Sequence, residues 1–96
     1  MLYSIYTHEL TVVEVSKEDI KELYNNNKLI VPNCEYTNYN IGLYYLVNDQ
    51  IDTCLEYFSK TNDNIYAMTL LGVYYLKINK NMEKGIKYLE KFYELL

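Results

Sequence analysis

Two stretches thirty residues apart repeat one another: Ile41-Gly42-Leu43-Tyr44-Tyr45-Leu46 and Leu71-Gly72-Val73-Tyr74-Tyr75-Leu76. Each is followed by a polar break and a second apolar segment. In those segments Cys54, Tyr57 and Phe58 correspond to Gly85, Tyr88 and Leu89, all at i, i+3 and i+4. Side chains so spaced share one face of a helix. A period near thirty with two helices per unit restricts the chain to antiparallel helical hairpins. Such a hairpin cannot bury its apolar face alone, so the expected fold is mainly α, with hairpins stacked as a short α-solenoid.

The polar breaks 48–50 and 61–63 are short, and connections that short make neighbouring helices antiparallel. The predicted helices are 35–47 and 51–60 in the first hairpin, and 64–78 and 81–95 in the second. Asn62 or Asp63 is expected to cap the third of these, and Asn79 or Asn81 the fourth. Gly42 and Gly72 sit mid-helix, where glycine costs about 0.5–1 kcal/mol relative to alanine. Their recurrence at one place in both units predicts a helix crossing too close for a β-carbon.

Residues 1–34 form the predicted cap of a single 96-residue domain whose repeats span 35–63 and 64–96. Ser16 and Asp19 have capping-box spacing, which predicts a helix over 17–25 ended by Asn25-Asn26-Asn27. Ile20, Leu23 and Tyr24 repeat the i, i+3, i+4 pattern, as a degenerate copy of the second helix of a unit. Pro32 biases 29–31 toward extended backbone. Residues 10–15 are rich in β-branched side chains, which favours a strand paired with 2–6 through a turn at Thr7-His8-Glu9. A frayed first helix would give a similar pattern.

Composition excludes several classes. The nine basic residues are all lysine, interleaved with acids, and the net charge is −4. Nucleic-acid binding, which needs clustered positive charge, is not expected. No run of eighteen apolar residues predicts a membrane span, and the first residues lack the basic start of a signal peptide. Cys34 and Cys54 are far apart in sequence, so reduced thiols in an intracellular, cytoplasmic protein are expected. The abundance of Lys, Asn, Tyr and Ile points to an A/T-rich genome.

Chemistry-bearing motifs are few, and the chain is not expected to be an enzyme. His8 is the only histidine and lies in the turn beside Glu9, as a surface residue. Zinc held by Cys34, Cys54 and His8 would lack a fourth ligand and close pairs. A nucleophilic Cys34 or Cys54 would need a base or cation that no motif supplies. Glu14, Glu18, Asp19 and Glu22 alternate with Lys17 and Lys21, as on a solvated helix face. No catalytic residue, cofactor or metal is expected.

The pattern Ala67-x-x-x-Leu71-Gly72-x-x-Tyr75, followed by Lys84-Gly85-x-x-Tyr88-Leu89-x-Lys91, resembles the Sel-like repeat, a relative of the tetratricopeptide repeat. The first unit follows it less fully, with Thr37 at the alanine and Cys54 at the small residue of the second helix. The resemblance covers residues 35–96, and the short period, double tyrosines and Asn-rich turns are similar to repeat proteins of large A/T-rich DNA viruses of amoebae. It implies a protein–protein interaction module, an adaptor or scaffold, working in the cytoplasm, in that case of a virus-infected host cell. It also implies that Tyr45 and Tyr75 pack between the helices of their own hairpins.

Tyr44 and Tyr74, about 100° further round, then either line a partner-binding groove or pack against adjacent units. On the last helix Met82, Gly85, Ile86, Tyr88, Leu89, Phe92, Tyr93, Leu95 and Leu96 cover a wider arc than one hairpin needs. Tyr88, Phe92, Leu95 and Leu96 are therefore further partner-binding candidates. The expected partner is a second copy about a two-fold axis, unless the end frays and folds back. A purely structural subunit of a homo-oligomeric assembly is the alternative.

Overall fold

A computed structural model describes residues Met1–Leu96. The chain is mainly helical and divides into two compact units, Met1–Asn62 and Asp63–Leu96. In the first, β1 (Tyr3–Tyr6) pairs antiparallel with β2 (Val12–Val15), with Tyr3 opposite Val15 and Tyr6 opposite Val12. Of the two readings of the N-terminus, the strands are the one observed. They are shorter than expected because Leu10 takes a left-handed backbone, φ 65°, and leaves the ladder. Then come α1 (Lys17–Asn25), α2 (Cys34–Val47) and α3 (Ile51–Phe58). The second unit holds α4 (Ile65–Val73), which runs on as a π-helical turn (Tyr74–Ile78), and α5 (Met82–Glu94).

Local chemistry sets these boundaries. Ser16 and Asp19 form a reciprocal capping box on α1, each side chain accepting the other's backbone N–H at 3.2 Å. Past its end Asn27 is left-handed, and the Lys28 N–H reaches the Leu23 carbonyl, closing a Schellman motif. Leu29 belongs to the turn that follows α1, and Ile30 and Val31 lie outside any helix, turn or strand. Asn33 caps α2. The second hairpin departs from expectation at its start: Asn62 and Asp63 are both left-handed, so neither caps α4. Asn64 does so instead, its Oδ1 accepting from Tyr66 and Ala67 N–H at 2.9 and 3.1 Å. α3 stops at Phe58 rather than at residue 60, where buried Thr61 donates to the Phe58 carbonyl at 2.6 Å. Asn81 caps α5.

The π-helical turn has a cause visible in register. Gly42 and Tyr45 correspond to Gly72 and Tyr75 thirty residues on, whereas Asp49, Cys54, Tyr57 and Phe58 correspond to Lys80, Gly85, Tyr88 and Leu89 thirty-one on. One residue has been inserted between, and Tyr74–Ile78 absorbs it by widening the helix, as single-residue insertions do. The two helix ends remain alike. Asp49 and Lys80 are both left-handed, and the next N–H, of Gln50 or Asn81, bonds the carbonyl of Tyr45 or Tyr75.

Both hairpins cross at a glycine. A β-carbon on Gly42 would lie 2.5 Å from the Phe58 ring and 3.2 Å from Tyr57 Cβ. One on Gly72 would lie 2.6 Å from Leu89 Cδ2 and 3.4 Å from the Gly85 carbonyl. Gly85 in turn has Leu76 Cγ at 2.5 Å from its would-be β-carbon. Phe58 and Leu89 are equivalent residues, so one contact is built twice. Tyr39 and Phe58 stack in parallel below Gly42, with ring centroids 5.6 Å apart. Buried Ala67, Met68 and Leu71 fill the second core.

In the first unit α2 is the hub. Asn40 is fully buried. Its Oδ1 accepts from the Tyr6 N–H at 2.9 Å, and its Nδ2 donates to the Tyr6 carbonyl at 2.9 Å and the Leu29 carbonyl at 3.1 Å. The Tyr39 hydroxyl donates to the Ser4 carbonyl at 2.7 Å. Thr37 Oγ1 accepts from Val31 N–H and donates to Val31 O, at 2.9 and 3.0 Å. Thr37 stands where the second unit has Ala67, so the hydroxyl clamps a segment that the second unit lacks. The strands and the α1–α2 loop are thus tied to one helix by three side chains.

Two outcomes test this packing. Overpacking a tight core costs about 1–3 kcal/mol, more than the 0.5–1 kcal/mol or so of helix propensity that alanine supplies. Gly42→Ala and Gly72→Ala should therefore each lower the urea midpoint, and a raised midpoint would contradict the crossing. Asn40→Leu keeps the branched shape at somewhat greater volume but strands three buried backbone groups, each worth about 1–3 kcal/mol when unpaired. Its unfolding free energy should fall by several kcal/mol, and an unchanged value would show that the clamp holds nothing.

Candidate functional site

The tyrosines form one stack per hairpin. Tyr45 on α2 stacks on Tyr57 of α3, with centroids 5.6 Å apart, and Tyr75 stacks on Tyr88 of α5 at 5.6 Å. These pairs are equivalent by register, and both lie between the helices of their own hairpin. A lysine covers each stack: Lys60 Nζ is 5.1 Å from the Tyr57 ring centre, and Lys84 Nζ is 5.3 Å from that of Tyr75.

Tyr44 packs on a neighbouring element: its ring lies flat on Tyr24 of α1, 3.7 Å between centroids and 5° between planes. It stays half-buried. Tyr74, its equivalent in the second unit, is half-buried and meets Tyr75 edge-on at 5.1 Å. Tyr24 also brings its hydroxyl to 3.5 Å from that of Tyr45. That hydrogen bond, with desolvation and the neighbouring phenols, pushes the Tyr45 phenol up to about 12.

The two thiols are unalike. Cys54, at the small-residue position of α3, is fully buried, and desolvation pushes it up to about 12. A thiol so protonated is a packing group, not a nucleophile. Cys34 is exposed at the first position of α2. Both are free of disulfides. His8 is exposed in the β1–β2 turn, and nowhere do three His, Cys, Asp or Glu side chains come together. A cleft of about 330 Å³ is lined by Tyr24, Ile30, Ile41 and Tyr57 with Asn25, Asn27 and Leu29. Another of about 420 Å³ includes Cys34 beside Thr37, and one of about 390 Å³ includes Asp19, Glu22 and Lys28.

On α5 the structure sorts the expected surface residues. Gly85 is buried against Leu76, and Tyr88 is half-buried on Tyr75. Phe92 is half-buried and meets Tyr93 edge-on at 5.4 Å. Leu95 and Leu96 are exposed. The exposed apolar stripe is instead Met82, Ile86, Tyr93 and Leu96, at 68, 45, 70 and 76% exposure. At about 100° per residue Met82, Ile86 and Tyr93 fall within an arc of about 40°, and Leu96 follows past the end of the helix. Sequence periodicity had already placed them in the wide apolar arc. It could not say which part the hairpin uses, because that depends on where Leu76 and Tyr75 dock.

No helix is long and apolar enough to cross a membrane. Compared with models of protein families, with curated proteins and with solved structures, the chain matches none.

The raised acidities give a pH dependence. A group whose folded value lies above its ordinary one contributes stability in full below the ordinary value and loses it as pH rises toward the folded one. For Cys54 that window runs from 9.0 to about 12, and for Tyr45 from 10.0 to about 12. Urea midpoints should fall steadily across this alkaline range, and Cys54→Ala and Tyr45→Phe should each flatten the fall. An identical slope in both variants would contradict the assignment.

Proposed function

We propose that the chain is a protein–protein interaction module, an adaptor or scaffold of Sel-like helical hairpins stacked as a short solenoid, that works by contact and not by catalysis. The observation that carries this reading is the exposed set Met82, Ile86 and Tyr93, which continues the apolar arc of α5 past the part used at the glycine crossing with α4. A helix whose apolar arc runs on beyond what its own hairpin covers is suited to lie against another helix. Tyrosine at the centre of such a stripe supplies contact area with a polar tip. The occupant proposed here is α5 of a second copy, related by a two-fold axis, since the same stripe is then covered on both sides. The resemblance to Sel-like repeats supports the same class of function. Two unpaired thiols suit work inside the cell.

Sedimentation at micromolar concentration should show reversible association into dimers or larger species. Tyr93→Lys and Ile86→Lys, both at exposed positions, should weaken this association without lowering the urea midpoint measured at concentrations too dilute for it. Alkylation of Cys34 should leave association unchanged. A wild-type protein that stays monomeric would overturn the α5 contact, and loss of association on alkylation would turn attention to the thiol.

A further inference from the structure

The two-stranded sheet has two edges, and α2 closes only one of them. On β1 the outward N–H and carbonyl of Tyr6 are taken by the Asn40 amide, and the Ser4 carbonyl by the Tyr39 hydroxyl. Those bonds also fix the state of the other edge. Along an antiparallel pair, residues alternate between facing the partner strand with both backbone groups and facing away from it. The Thr7 N–H turns inward to the Thr11 carbonyl at 2.8 Å, whereas Tyr6 and Ser4 turn away. Tyr6 stands opposite Val12 and Ser4 opposite Glu14. Val13 and Val15 therefore point at β1, and Val12 and Glu14 present their N–H and C=O groups outward. Strand edges are commonly protected by shortness, charged side chains or proline. β2 has four residues and one charge, Glu14, and its Val12 and Val13 are 39 and 40% exposed.

We propose that this edge pairs with β2 of a second copy, antiparallel across a two-fold axis at Val13, so that two hairpins join as a four-stranded sheet. The strand's own register selects that occupant. With Val13 on the axis, Val12 stands opposite the copy's Glu14 and Glu14 opposite its Val12. Both outward N–H and both outward C=O groups of each strand are then used, in four hydrogen bonds. Charge selects the same register. An axis at Glu14 would set two carboxylates directly against each other, which is destabilising. An axis at Val12 would pair Glu14 with Leu10, whose left-handed backbone has left the strand. Joining the hairpins also removes the exposed edge that a two-stranded sheet leaves. This contact lies in the first unit and is independent of α5.

The test uses the full chain carrying Tyr93→Lys, so that α5 does not enter. Amide exchange is followed by NMR over a dilution series. Protection of the Val12 and Glu14 amides should rise with concentration by about tenfold or more, since concentration shifts only what association closes. Glu14→Pro removes one outward N–H and leaves the inward ladder of Ile5 and Val13, so it should abolish the concentration dependence at Val12 with Ile5 and Val13 still protected. If that variant does not fold, Val13→Lys, which sets two like charges at the axis, should do the same. Fast exchange at Val12 and Glu14 at every concentration would overturn the proposal. So would protection that survives the folded variants, or that arises only when an extended peptide or another protein is added.

Discussion

Each hairpin is held by a helix crossing that leaves no room for a β-carbon. Gly42 meets the Phe58 ring and Gly72 meets Leu89, and everything else in the hairpins follows from that distance. With the axes this close, the tyrosine one turn further on must lie flat against its counterpart, which gives the Tyr45–Tyr57 and Tyr75–Tyr88 stacks. The glycines cost helix propensity, of order 0.5–1 kcal/mol each. Close packing of rings and branched side chains across the crossing offsets that cost. The same constraint decides which residues reach the surface, because the part of α5 not used at Gly85 is the part left exposed.

The first unit adds a second device. A fully buried polar side chain, Asn40, acts as a substitute strand: its amide pairs with both backbone groups of Tyr6, as a neighbouring strand would, and also takes the Leu29 carbonyl. Buried amides of this kind are stable only when all their bonds are made. No buried side-chain polar atom in the structure lacks a partner. The clamp makes the small sheet a dependent of α2 and leaves β2 as its one open side.

Much of the helical pattern was legible in the residues. The thirty-residue period, the capping box at Ser16 and the paired glycines each report a local constraint, and each has its counterpart in the structure. What stayed hidden was non-local or one residue wide. Asn40 lies in a chain crowded with asparagine, so nothing marked it apart until Tyr6 and Leu29 were brought to it. The inserted residue near Tyr75 changes a spacing from thirty to thirty-one, which an apolar pattern tolerates, yet it turns the end of α4 into a π-helical turn. Asn62 and Asp63 are good capping residues by type, but the turn bends them into left-handed backbone and passes the cap to Asn64. Nothing local to Tyr44 marks that Tyr24, twenty residues earlier, comes to rest on it.

The claim on which the rest stands is that Gly42 and Phe58 share one crossing. A double-mutant cycle on Gly42→Ala and Phe58→Ala measures it most directly, since alanine at 58 removes the ring that the new β-carbon would meet. If the crossing is as described, the added methyl has room once the ring is gone. The two changes should then couple favourably, by about 0.5–3 kcal/mol, the range for residues in contact. Strictly additive effects would mean that the two positions do not meet, and would contradict the account.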